Sequence, residues 1–164
     1  MTSPGTKPKQ GTSTRSAARL AAVQALYQME MTGTTATHAL NDVRLRDGAV
    51  SDDAGAGVKV DEAMLKDLVE GVTDRGEELD RKIASHLVEG WSFERLEHVL
   101  RAILRAGTYE IVVKTDVPLR VAINEWVDLA HAFYSGKEPG FVNGVLDRIG
   151  REARPDEARP GEKQ

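Results

Sequence analysis

The chain has 164 residues, 40% of them hydrophobic and 29% charged, with a formal net charge of −4; that suffices for one compact domain and argues against indiscriminate coating of nucleic acid. It contains no cysteine, which removes disulfides, thiolate nucleophiles and thiolate metal sites together and fits a reducing compartment. No run approaches the roughly 18 apolar residues that span a bilayer, and the basic N-terminus lacks the apolar stretch of a secretory signal, so the expected location is the cytoplasm.

Residues 1 to 13 combine Pro4, Gly5, Pro8 and Gly11 with Ser, Thr and Lys, the composition of a disordered arm. From Met1 to Met29 the charged side chains are Lys7, Lys9, Arg15 and Arg19, with no acid before Glu30. A locally basic end on an acidic protein suits a small, directed anionic contact; the plain alternative is a solvated tail. Ser13 or Thr14 can cap the first helix, whose stripe of Leu20, Val23, Tyr27 and Met31 is widened by Ala22 and Leu26 and stopped by Gly33. Ala36 to Arg46 is a weaker helix with Ala39, Leu40 and Val43 on its apolar side. Residues 47 to 58, rich in Gly, Asp, Ala and Ser, are expected to form a mobile loop.

Asp61 opens a strong helical pattern, Leu65, Val69, Val72, Gly76, Leu79, Ile83 and Leu87. Gly71 and Gly76 each cost about 1 kcal/mol in a helix interior, so a break between them is expected. Gly90-Trp91-Ser92 is a connector, with Ser92 as a candidate N-cap. The next helix uses Leu96, Val99, Leu100, Ile103, Leu104, Gly107 and Ile111; so broad a stripe belongs to a central helix touching several neighbours. Asp116-Val117-Pro118 stops it and starts another, with Ile123, Trp126, Val127, Ala130 and Phe133 inward. A last helix from about Phe141 to Arg151 buries Val142, Val145, Leu146 and Ile149. Residues 151 to 164 alternate Arg, Glu, Asp and Pro and are expected to be disordered. No segment alternates with period two for long enough to be a strand, so the fold is an all-α bundle.

Two segments stand out within this plan. Pro118 to Glu125 and Phe141 to Asp147 each carry an Asn, at 124 and 143, on or beside an apolar stripe. Asn is a mediocre helix former and an expensive residue to bury, so packing alone rarely selects it twice. No enzyme motif accompanies them. His38, His86, His98 and His131 lack metal spacing, and no convergent acid pair is readable; recognition is favoured over catalysis, with no cofactor and no metal.

Ala22-Val23-Gln24-Ala25-Leu26-Tyr27, Arg101-Ala102-Ile103-Leu104-Arg105 with Tyr109-Glu110, Asp116-Val117-Pro118, Val121-Ala122-Ile123-Asn124-Glu125 and Phe141-Val142-Asn143-Gly144-Val145-Leu146-Asp147 together resemble the NusB family of bacterial transcription antitermination factors. The likeness covers residues 14 to 150 in family order. It implies a compact bundle of six to seven helices in two packed helical subdomains. It implies binding to boxA-type single-stranded leader RNA of rRNA operons, jointly with ribosomal protein NusE and within the RNA polymerase antitermination complex, by a monomer or weak homodimer. A related helical domain precedes the catalytic part of rRNA cytosine methyltransferases, so a helical RNA- or protein-binding scaffold is the alternative.

With that resemblance, the candidate RNA contacts are Arg15, Ser16, Arg19, Gln24, Arg101, Phe141 and Asn143. Arg15 and Arg19 lie four apart near a helix N-terminus, where guanidinium groups and dipole both favour phosphate. Arg101 either reaches RNA or pairs with Glu97; Arg105 is expected to hold a carboxylate such as Glu125, or the face of an aromatic ring. Phe141 is either core or a stacking platform for an unpaired base. Asn124 is expected to bridge helices internally, while Asn143 suits base edges or loop carbonyls equally. Tyr27 and Leu100 are the candidate protein-partner residues, with ordinary core as their plain alternative.

Overall fold

A computed structural model describes residues 10–54 and 59–158, with side chains from residue 14 to 46 and from 59 onward. The described residues are helical apart from short connections: α1 (Gln10–Thr32), α2 (Ala36–Ala54), α3 (Glu62–Asp74), α4 (Gly76–Ser85), a 3₁₀ turn (Phe93–Arg95), α5 (His98–Val113), α6 (Leu119–Phe133), α7 (Glu138–Ala153) and α8 (Pro155–Ala158). None of these helices is long and apolar enough to cross a membrane. The chain divides into two compact units, residues 1–70 and 71–164.

In the first unit α1 packs on α2. Ala18, Ala21, Ala22 and Ala25 are all buried on α1; side chains this small let a neighbouring backbone approach closely. Ala39, Leu40 and Val43 of α2 are buried as expected. Polar ties hold the helices together: Gln28 Nε2 donates to Asp42 Oδ2 at 2.8 Å, and Arg44 Nε to Glu62 Oε1 at 2.7 Å. Asp61 does open α3, its Oδ1 accepting from Met64 N at 3.0 Å, the N-cap geometry that satisfies an orphan donor. Its own N–H donates to Thr14 O at 3.1 Å, joining the start of α3 to α1.

The second unit is organised around α5, which contacts α4, α6 and α7. From Ala102 to Ile111 every residue except Arg105 is buried, the broad stripe expected of a central helix. Trp126, Ile103, Leu104, Ile111, Leu146 and Ile149 are fully enclosed, and each such side chain contributes about 1.5–3 kcal/mol of burial.

Several boundaries differ from expectation. Helix α1 begins at Gln10, inside the expected disordered arm; residues 1–9 lie outside the described residues. Helix α2 continues to Ala54, through most of the segment expected to be a loop, and residues 55–58 lie outside the described residues. Ala49, Val50 and Ala54 break up its glycine and aspartate content, and a helix already nucleated extends at low cost. The helix break falls at Arg75. Gly71 lies inside α3 for another reason: a Cβ there would stand 2.2 Å from Cζ of Tyr109, so the missing side chain seats that ring. Ser92 does not cap α5; a 3₁₀ turn intervenes and Glu97 occupies the N-cap.

The expected disordered tail is helical to Ala158, and residues 159–164 lie outside the described residues. Arg154 explains the order. Its guanidinium is buried and donates to Ile111 O at 2.9 Å, Val117 O at 2.6 Å, Lys114 O at 3.1 Å and Glu110 O at 3.3 Å. These carbonyls end α5 and the turn after it, where intrahelical partners run out. Glu157 of α8 then accepts from Leu119 N at 2.8 Å, satisfying a donor at the start of α6.

Candidate nucleic-acid interface

Helix α1 carries five of the candidate residues, and they do not share one surface. Arg15 is exposed and Ser16 half-buried, as a phosphate contact requires. Arg19 is 2% exposed, which corrects its pairing with Arg15 as a solvent-facing phosphate clamp. The four-residue spacing is the cause: Arg19 lies one turn further along the face that carries the buried Ala22, Val23 and Leu26, whereas Arg15 lies before that core begins. Gln24 is exposed, about half a turn around the helix from Arg15. It sits among Leu20, Tyr27 (38% exposed) and Met31, an apolar stripe open to solvent. Half of the stripe expected to be core on α1 therefore faces outward, and Tyr27 belongs to that half.

On α5, Leu100 is 3% exposed; it is core, which removes it as a partner-facing residue. The helix turns its inner face there, one position before the half-buried Arg101. Arg101 Nη2 lies 2.9 Å from His98 Nδ1, and its guanidinium stands 5.5 Å from the centre of the Phe93 ring. Arg105 covers the same ring at 5.2 Å and grips Asp80 of α4 through two bonds, Nε to Oδ1 at 2.7 Å and Nη2 to Oδ2 at 2.9 Å. The expected structural role of Arg105 is thus met, with Asp80 as an unforeseen carboxylate 25 residues away and Phe93 as the ring. Glu97 accepts a hydrogen bond from the Tyr134 hydroxyl.

Phe141 and Asn143 leave α7 on opposite sides. Phe141 is half-buried and stacks on Trp91, ring centres 4.3 Å apart and planes at 29°. Asn143 is exposed and lines a groove of about 270 Å³ together with Asn124, Arg120, Asp147, Arg151 and Glu157. Asn124 is exposed as well, which corrects its expected role as an internal bridge. The two Asn residues singled out in the sequence meet at one solvent-facing groove bordered by α6, α7 and α8.

In the sequence Trp91 stands out only as part of a connector. The signal was available: Gly90-Trp91-Ser92 is a large aromatic residue in a turn, with no apolar periodicity to carry it inward. The positive φ of Gly90, 98°, a value that favours glycine, shapes the turn in which Trp91 N donates to Val88 O at 3.2 Å.

Comparison with known proteins decides what this helical frame is. The NusB family model matches residues 16–151. The chain belongs to the NusB family. A transcription antitermination protein NusB from Sphingopyxis alaskensis is 47% identical over 141 residues, covering 85% of this chain and 94% of the relative. One from Maricaulis maris is 43% identical over 143 residues, covering 87% and 89%. Among solved structures, NusB from T. maritima superposes with a TM-score of 0.71 at 29% identity, covering 87% of this chain and 95% of that one. A structure described as antitermination factors NusB and NusE in complex with dsRNA superposes with a TM-score of 0.68 at 26% identity, covering 84% and 96%. The helical fold is the one these solved NusB structures share.

Proposed function

We infer that this NusB chain is a transcription antitermination factor that binds boxA-type leader RNA of rRNA operons jointly with ribosomal protein NusE, inside the RNA polymerase antitermination complex of the cytoplasm. The observation that carries the reading is the family match across residues 16–151, supported by relatives that are aligned over nearly their whole length. The neighbour solved with NusE and RNA gives the partner classes. The protein acts by binding and performs no chemistry on the transcript.

Arg15 and Ser16 are the first-unit RNA contacts. Arg15 supplies the charge-assisted bond to phosphate and Ser16 a hydroxyl that donates or accepts. Arg101 and Asn143 extend RNA contact onto the second unit, and the exposed Leu20, Tyr27 and Met31 stripe, with Gln24 among them, receives the protein partner. RNA affinity alone is modest, and coupling to NusE raises it reciprocally.

Gel-shift titration of boxA RNA against a scrambled RNA and a duplex of the same sequence, each with and without NusE, tests the reading. Preference for boxA that strengthens with NusE is expected. Equal binding to boxA and scrambled RNA in the presence of NusE rejects it in favour of a protein-binding scaffold.

A further inference from the structure

We propose that Trp91, rather than Phe141, presents the aromatic face on which an unpaired RNA base stacks, and that Phe141 backs it from within; this rests on the RNA-binding reading above. Phe141 has one ring face covered by the indole and is half-buried. Trp91 is 41% exposed, so the indole carries the larger open surface of the pair. The other tryptophan shows the contrast. Trp126 is fully enclosed, with its Nε1 donating to a buried carboxylate, as a core indole does.

The platform is built to hold still. Trp91 follows the positive-φ turn at Gly90, and its own N–H is bonded back to Val88. Arg148, seven residues along the same face of α7 as Phe141, donates from Nε to His86 O at 3.1 Å. One turn further, Glu152 meets His86 Nε2 at 3.1 Å. On the other side of the connector, Phe93 lies under Arg101 and Arg105. The connector is therefore fastened to α7 and to α5, and little side-chain freedom remains to be lost when a base docks.

The surrounding charge selects a base rather than a phosphate for the indole itself. Glu89, Glu94 and Glu97 are exposed in the connector against the single exposed cation Arg95. The neutral indole offers a stacking face that any base can use and no site for a phosphate. Lys137, the exposed N-cap of α7 whose carbonyl accepts from Phe141 N at 3.0 Å, is a cation one turn before Phe141 in the chain, available to the adjoining backbone.

The full chain has two tryptophans and only Trp91 is solvent-facing, so acrylamide-accessible emission reports on it directly. Adding boxA RNA to the wild-type protein at low salt is expected to quench that emission and shield it from acrylamide. Trp91→Ala is expected to weaken boxA binding by about 5- to 100-fold with an unchanged salt slope, Trp91→Phe to recover most of the loss, and Phe141→Leu to cost less than Trp91→Ala. Unaltered emission under conditions where the gel shift forms, or wild-type affinity in Trp91→Ala, overturns the platform while leaving the RNA reading intact. Absence of any boxA binding by the wild type, with or without NusE, overturns both. If Trp91→Ala melts early, the Trp91→Phe variant and the wild-type emission decide the matter without it.

Discussion

Trp126 Nε1 donates to Glu110 Oε1 at 2.7 Å, with both side chains fully buried between α5 and α6. The carboxylate sits where an isolated charge would be very costly, and the indole N–H is one of its satisfied contacts. Glu110→Leu leaves the indole donor unpaired in the core and should cost about 1–3 kcal/mol. Glu110→Gln, which keeps an acceptor in place, should cost less. Urea unfolding followed by circular dichroism separates the two; equal losses would show that packing volume, not the hydrogen bond, governs the position.

Arg154 makes the segment at the end of α7 part of the fold. Four backbone carbonyls converge on its guanidinium, and a planar fork of five donors fits that arrangement as a lysine ammonium does not. Arg154→Ala should destabilise the protein by about 3 kcal/mol, and Arg154→Lys should recover little of it. Deleting residues 155–164 while keeping Arg154 should cost far less. Thermal melts of the three proteins check the ranking, and recovery by lysine would mean that charge rather than donor geometry matters there.

These two cases show what the sequence could and could not reveal. Periodicity alone located α1 to α7, though not the full length of α1 and α2, and most of the core, because each buries a stripe whose spacing repeats along one helix. Glu110, Arg154 and Asp80 act through partners 16 to 44 residues away, and no local pattern encodes such a meeting. Arg154 in particular sat in a run of charge and proline that reads as tail. The candidate site was legible in part: Arg15 and Asn143 are exposed and Phe141 lies near the surface, whereas Asn124, expected inside, is exposed as well. Burial was not legible for Arg19, whose fate depends on where the core starts along α1; Leu100 lies on the apolar stripe of α5, and its plain reading as core is the one that holds.

Tyr134 couples stability to alkaline pH. Its phenol is pushed well above the ordinary value of 10.0, chiefly by partial burial and then by the hydrogen bond it donates to Glu97 and the charges of Glu97 and Glu138. The folded state therefore keeps a proton that the unfolded chain releases from about pH 10 upward. This contribution is complete below that pH and declines as pH rises through the window toward the folded value. Tyr134→Phe should flatten the part of the pH–stability profile above pH 10 that belongs to this group. An identical alkaline decline in wild type and variant would exclude it.

Arg15 and Arg19 separate binding from folding within a single turn of α1. Reversing the exposed Arg15 to Glu should leave the melting temperature nearly unchanged, since surface substitutions are usually within about 0.5 kcal/mol. It should weaken boxA binding and reduce the salt slope by about 0.7, the value for one lost phosphate contact on a single strand. Arg19→Glu places an acid in a site that is 2% exposed and should cost about 3 kcal/mol of stability or more. Its effect on RNA should follow the folded fraction rather than the salt slope. Salt-dependent titrations beside melts for both variants test the division. If Arg15→Glu left the slope untouched while Arg19→Glu lowered it in a fully folded protein, the exposed end of α1 would not be where the transcript lies, and the inner arginine would have to open outward to meet it.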